Sequence, residues 1–161
     1  MNKLKTIDLK GKSYATVPER LRQFREDSPN SSIETSFVKN DDGTATFKAL
    51  VISDLSKDDS KRATGHSYGK LNGDKSFEKL ETISVGRALG LLGYLANGEV
   101  ASFEEMEDFY LYKEEKKQQA ITKLRNAKTI EELKEAWDGL GNEMSDKEVI
   151  KIKEEMKEQC K

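Results

Sequence analysis

Along "RATGHSYGK", residues 62–70, Arg62, Thr64, His66, Tyr68 and Lys70 alternate with Ala63, Gly65, Ser67 and Gly69. In an extended strand that alternation places the two sets on opposite faces. One face is then basic and aromatic, and the other carries almost no side-chain volume. Guanidinium and ammonium groups neutralise phosphates and an aromatic ring stacks a base, so the polar face has the composition of a single-strand nucleic-acid contact. Binding of this kind draws on counterion release and weakens with salt. Lys39 and Lys48, on either side of "NDDG", are expected to approach one another across a hairpin and to extend the same basic surface.

Bond-making chemistry has much less support. His66 is the single histidine, and no nucleophile stands at a recognisable motif spacing from it, so it reads as a polar strand residue or nucleic-acid contact. Asp41-Asp42 and Asp58-Asp59 could be imagined as a metal site for a nuclease, but turn and loop solubility explains both pairs more simply. No Walker-type phosphate loop is present, so ATP use is not expected. Cys160 has no partner for a disulfide and no metal-ligand companion, and reads as an exposed spare thiol. The expectation is a protein that binds rather than an enzyme, without cofactor or metal.

Several elements must hold these residues in place. Thr16 with Glu19 forms a capping box and Pro18 suits a first turn, which predicts a short helix from about Val17 to Asp27. "SIETSFVKNDDGTATFKALVIS" reads as two β-rich runs around Asn40-Asp41-Asp42-Gly43, a hairpin. "RATGHSYGK" supplies a third strand. Asp74 is expected to cap a long helix through "FEKLETISVGRALGLLGYLANGE", with Asn97-Gly98 as its stop. Gly86, Gly90 and Gly93 are expensive inside a helix, at about 1 kcal/mol each relative to alanine. With Ala88 they are expected to let this helix lie tight across the sheet.

Beyond Gly98 the pattern changes. Ser102 with Glu105, Thr129 with Glu132 and Ser145 with Glu148 are three further capping boxes, each opening a charged, weakly amphipathic helix. Leu124, Ile130, Leu133, Ala136, Trp137 and Leu140 form one candidate seam, and Val149, Ile152 and Met156 a third helix's contribution. The fold class read here is α+β: a short helix, a three-stranded sheet made of a hairpin plus a third strand, a long bracing helix, and a helical C-terminal appendage. The division expected is 1–112 for the core and 113–161 for the appendage, joined through the charged "YKEEKKQQ".

This order of elements, with "HSYG" at 66–69 and "GRALGLLG" at 86–93, resembles the single-strand annealing proteins of the Rad fifty-two superfamily. The wording "LETISVGRALGLLGYLANGE" is similar to their phage relatives of the ERF and Sak types. The resemblance covers about residues 14–110. It implies a curved antiparallel sheet, single-stranded DNA as ligand, ATP-independent strand annealing in phage-type recombination, and self-assembly into rings or filaments. It also implies a strand-binding role for Arg87 and a turn at Tyr68 and Gly69. Gly86 and Gly90 stand where the family pattern is basic, so phosphate contacts must be shared with other residues, for which Arg62, Lys70, His66, Tyr68, Lys39 and Lys48 are the candidates.

Composition frames these expectations. Apolar residues make up 35% of the chain and charged residues 36%, so the core is modest and much of the chain is surface. The net charge of −2 is unevenly spread: residues 1–98 hold 16 Lys/Arg against 13 Asp/Glu, and residues 99–161 hold 12 against 17. A mildly basic body permits nucleic acid, and an acidic tail permits a different partner. No apolar run is long enough to cross a bilayer and the start lacks a signal-peptide pattern, so a cytoplasmic location is expected. The alternative function is an adaptor whose C-terminal helices, with Trp137 beside Leu133 and Leu140, recruit a single-strand-binding protein, an exonuclease or another replication or recombination partner.

Overall fold

The structure, a computed structural model, describes residues 4–73 and 75–160. It is α+β and divides into two units, 1–107 and 108–161, with the boundary inside one helix. Asp74, expected as a helix cap, lies outside the described residues.

The first unit opens with a small hairpin not expected from the sequence, β1 (Ile7–Leu9) and β2 (Lys12–Tyr14), turned by Lys10 and Gly11 at φ 53° and 80°. Helix α1 spans Val17–Asp27, with the Glu19 N–H donating to Thr16 Oγ1 at 3.3 Å. Strands β3 (Ser32–Lys39), β4 (Thr44–Ile52) and β5 (Arg62–Lys70) form an antiparallel sheet in that order. Between β3 and β4, Gly43 takes φ 78°, and Asp42 accepts from the Thr44 N–H at 2.9 Å and from its hydroxyl at 2.6 Å. These bonds hold the Asp42 carboxyl below its usual range, the Thr44 hydroxyl contributing most.

Helix α2 (Ser76–Leu91) packs on one face of this sheet, the face of Ala45, Phe47, Ala49 and Val51 in β4 and of Gly65 and Ser67 in β5. A Cβ at Gly65 would collide with the Ser84 carbonyl and the Ala88 amide, so the close approach of helix and sheet depends on the glycine in the strand. Helix glycines serve a different neighbour, which corrects the expectation that they face the sheet. A Cβ at Gly86 would come within 2.5 Å of Val17 Cγ2 of α1, and one at Gly90 within 2.8 Å of Arg20 Nη1.

Arg20 explains the arrangement. It is fully buried, and its guanidinium donates to the carbonyls of Gly86, Val100, Glu99 and Ala101 at 2.8, 2.6, 3.2 and 2.8 Å. One side chain thus ties α1 to α2 and to the segment that follows α2. Burial pulls its pKa down, against the nearby carboxylates of Glu104 and Glu105.

Helix α2 ends earlier than Asn97-Gly98. Gly93, at φ 106°, lets the Tyr94 N–H donate to the Leu89 carbonyl at 3.1 Å and the Gly93 N–H to Gly90 at 2.9 Å, a paired C-terminal cap. Asn97 (φ 52°) and Gly98 (φ 82°) instead make a separate tight turn, with Glu99 bonded back to Ala96. Around these elements Leu4, Ala15, Phe24, Ala49, Val51, Ala88, Leu89, Tyr94 and Ala96 form the buried cluster.

Helix α3 (Phe103–Asn126) starts at the expected Ser102 cap, whose hydroxyl accepts from the Glu105 N–H, and absorbs the charged "YKEEKKQQ" as continuous helix rather than as a linker. In the second unit, α4 (Ile130–Asp138) is capped by Thr129, and a short 3-10 turn (Asn142–Ser145) leads to α5 (Lys147–Gln159). Asp146, not Ser145, caps α5, because its carboxylate reaches the amides of Glu148 and Val149. Leu124, Leu133, Val149, Ile152 and Met156 share one apolar cluster with Trp137 and Leu140 against it, whereas Ile130 is exposed. Cys160 is 6% exposed and lies within that cluster, its thiol 3.5 Å from the Ala127 carbonyl, so the expected exposed thiol is a small buried hydrophobe.

Candidate nucleic-acid interface

Strand pairing decides which residues share the sheet face opposite α2. Lys48 of β4 lies between Ser36 of β3 and His66 of β5; Thr46 lies between Val38 and Tyr68; Ile52 pairs with Arg62 and Thr44 with Lys70. Arg62, His66, Tyr68, Lys70 and Lys48 therefore occupy one face, and all five are exposed, Tyr68 to 65%. From Arg62 to Lys70 the strand spans roughly 26 Å at about 3.3 Å per residue. Lys48 and His66 sit directly side by side near its middle. Glu34, opposite Leu50, is the acidic strand residue on this face. Lys70, at one end, has the Asp42 carboxylate in its electrostatic reach, so it is the least isolated of the cations.

Lys39 does not belong to this surface. It pairs with Ala45, whose neighbours Phe47 and Ala49 line the α2 side, so it shares the opposite face from Lys48. The expectation that the two lysines meet across the hairpin fails because their positions differ in parity in the observed register, and a one-residue difference reverses the face. Tyr68 and Gly69 also lie within β5 rather than in a turn. There Gly69 accommodates Leu80 of α2, to whose methyl a Cβ would come within 3.0 Å.

Arg87 reaches the same region from α2. With Leu91 of its own helix it lines an open groove whose other walls include Thr64, His66 and Tyr68 of β5. β5 is one of the two edge strands of the sheet, and Arg87 packs beside it, about half exposed, with Nη1 2.7 Å from Glu105 Oε1. The structure thus brings Arg87, His66 and Tyr68 to one groove, and Arg62, Lys48 and Lys70 to the sheet face next to it. Gly86 and Gly90 have no room for basic side chains here, since Val17 and Arg20 fill that space.

Sequence reasoning missed one residue at this site, Glu105, and one that holds its framework, Arg20. Glu105 was noticed only as a capping residue, and nothing local relates it to Arg87, eighteen positions away. Arg20 carried no signal beyond its place in a helix. Among the described residues no group of three or more His, Cys, Asp or Glu is placed to hold a metal ion. Asp54, in the loop after β4, is occupied by Ser56, Asn30 and Lys57, which hold its carboxyl far below the usual range, the Ser56 hydroxyl most strongly.

In the second unit, Trp137 packs against the apolar cluster with Lys153 Nζ 4.1 Å from its ring centre, so it is spent on the unit's own packing. Exposed apolar residues there include Phe109, Leu111 and Tyr112, close together in α3, with Lys113 over Phe109 and Lys116 over Tyr112. No helix of the described residues is long and apolar enough to cross a membrane. Comparison of the chain with protein-family models, with curated proteins and with solved structures gives no match.

Proposed function

We propose that this chain is a single-stranded DNA-binding protein that anneals complementary strands without ATP, in phage-type homologous recombination. One observation carries the proposal: a solvent-facing sheet surface bearing Arg62, Lys48, His66, Tyr68 and Lys70, continuous with a groove to which α2 adds Arg87. Cations beside an exposed ring suit a flexible strand, whose phosphates are neutralised while a base stacks. Annealing requires no bond chemistry. Complementary strands repel through their phosphates, and a surface that neutralises them while leaving base edges free lowers that barrier.

A body this small makes few contacts, and avidity among copies supplies what one site lacks. β3 and β5 each present one unpaired edge, which is the natural place for copies of the chain to meet in a ring or filament. The resemblance of "HSYG" and "GRALGLLG" to the annealing family supports the same reading.

The test is direct. The purified protein is expected to shift a long single-stranded oligonucleotide at low salt, to accelerate annealing of complementary oligonucleotides without ATP, and to scatter light as an oligomer. Absence of both binding and acceleration rejects the proposal.

A second reading, an adaptor recruiting a single-strand-binding protein, an exonuclease or another recombination partner, is favoured by the exposed Phe109, Leu111 and Tyr112 rather than by Trp137. Under it, the double substitution Phe109→Ser and Tyr112→Ser leaves annealing in vitro intact and abolishes recombination in cells.

A further inference from the structure

Arg87 does not stand free in its groove. Its Nη1 meets Glu105 Oε1 at 2.7 Å, and the pair is partly open to solvent, Arg87 to 45% and Glu105 to 26%. Glu105 is anchored by the fold rather than by the pair. It lies in the first turn of α3, where its backbone N–H is held by the Ser102 hydroxyl, and Ser102 itself is buried. Its second carboxylate oxygen, Oε2, is buried and has no hydrogen-bond partner. A buried carboxylate oxygen without a donor is an expensive arrangement, and the Arg87 contact at Oε1 offsets it together with the charge of Arg20 nearby.

A carboxylate at this distance occupies the guanidinium in the way a phosphate oxygen would, because both are anionic oxygen acceptors for the same planar fork. We propose that Glu105 is a built-in competitor for the phosphate at Arg87, so that a single strand must displace Glu105 to engage this arginine. This rests on the single-strand reading of the groove and adds its regulation.

The consequence is a threshold. A partly exposed ion pair is weak enough to be exchanged, but the exchange leaves Glu105 with only the charge of the buried Arg20 nearby and with one oxygen already unsatisfied. Weak or isolated phosphates then fail to open the pair. A strand that also neutralises charge at Arg62 and Lys48 and stacks on Tyr68 supplies enough interaction to do so. Single strands are thereby favoured over small anions at the groove. The opposite arrangement, in which Glu105 only orients Arg87 toward the strand through its remaining N–H groups, predicts an effect of opposite sign.

The test uses the full chain and a fluorescent oligothymidylate titrated over a range of salt. Glu105→Gln keeps the backbone cap from Ser102 and removes the competing charge. It is expected to bind three- to tenfold more tightly at low salt, with a salt dependence little changed, because the strand meets Arg87 in both proteins and the number of phosphate contacts is the same. In an Arg87→Gln background the same substitution is expected to change nothing, and Glu107→Gln, one exposed acid further along α3, is expected to change binding little.

Wild-type binding with Glu105→Gln no tighter, or weaker, overturns the competitor and leaves the single-strand reading standing. An equal gain in the Arg87→Gln background also overturns it, because Glu105 would then act through overall charge alone. Binding by Glu105→Gln where wild type binds poorly supports it. If neither protein binds the oligonucleotide, the competitor and the single-strand reading fall together. Thermal melting of each variant separates these outcomes from unfolding.

Discussion

Two arginines at α2 show how differently the molecule uses the same group. At the junction of α1 and α2, Arg20 is sealed from water and its guanidinium is divided among four backbone carbonyls. At the edge of β5, Arg87 is half exposed and meets a single carboxylate. Burial with neutral acceptors makes Arg20 a structural bolt, with its charge spread over carbonyl dipoles that no ligand can replace. Partial exposure beside one exchangeable anion leaves Arg87 able to meet a phosphate. The glycines of α2 belong to the first use, because Gly90 makes room for Arg20.

The largest expected effect tests the structural arginine. Arg20→Met removes the four carbonyl contacts and is expected to destabilise the first unit by about 3 kcal/mol or more, since bonds to a charged donor contribute strongly and buried carbonyls are left unpaired. Urea unfolding measures it; a loss under about 1 kcal/mol would erase the contrast between the arginines.

Next comes the close approach that lets α2 present Arg87 to β5. Gly65→Ala drives a methyl into the Ser84 carbonyl and the Ala88 amide, and overpacking of this kind costs about 1–3 kcal/mol. Its melting temperature is expected to fall clearly, and an unchanged one would mean that the helix rests further from the strand.

The exposed arginine should behave in the reverse way. Replacing Arg87, Arg62 and Lys70 together by glutamine is expected to alter stability by less than about 1 kcal/mol and to reduce the salt dependence of oligonucleotide binding by about 2 in slope, at about 0.7 per phosphate contact. Unchanged binding would remove these residues from the site.

The smallest effect concerns a third arginine, as exposed as Arg87. Arg22 binds Glu19, and with the Lys5 amide as a lesser donor it lowers the Glu19 carboxyl from 4.5 to about 2. A carboxyl depressed on folding contributes stability that is complete above its unfolded pKa and is lost as pH falls from 4.5 through 2. Glu19→Gln should therefore unfold with a shallower dependence on acid in that window. Identical acid profiles for the two proteins would show that the pair contributes nothing.

Legibility in the sequence followed the range of the forces involved. Helix α1 runs from Val17 to Asp27 as read from its capping box and apolar spacing, and the β3–β4 turn falls at Asn40 to Gly43. The basic and aromatic face of β5 follows from strict alternation, so Arg62, His66, Tyr68 and Lys70 could be grouped without coordinates. Lys39 and Lys48 could not, because their faces depend on which residues of β3 and β4 pair. The β1–β2 hairpin went unread: Lys10-Gly11 turns two strands of only three residues, too short to show a period. Cys160 looked peripheral by position in the chain, yet the end of α5 docks where Ala127 and Met156 bury it.

Local preference, then, was enough for the order of the elements and for the chemistry carried along one strand. Side-chain period, turn residues and caps act within a few positions, and those are written directly in the chain. Which glycine faced which neighbour, which arginine was sealed and which was left exchangeable, and the meeting of Arg87 with Glu105 were decided by packing between segments distant in sequence. Volume exclusion at Gly65 and Gly90, and the need of every buried polar group for a partner, operate only once those segments are in contact.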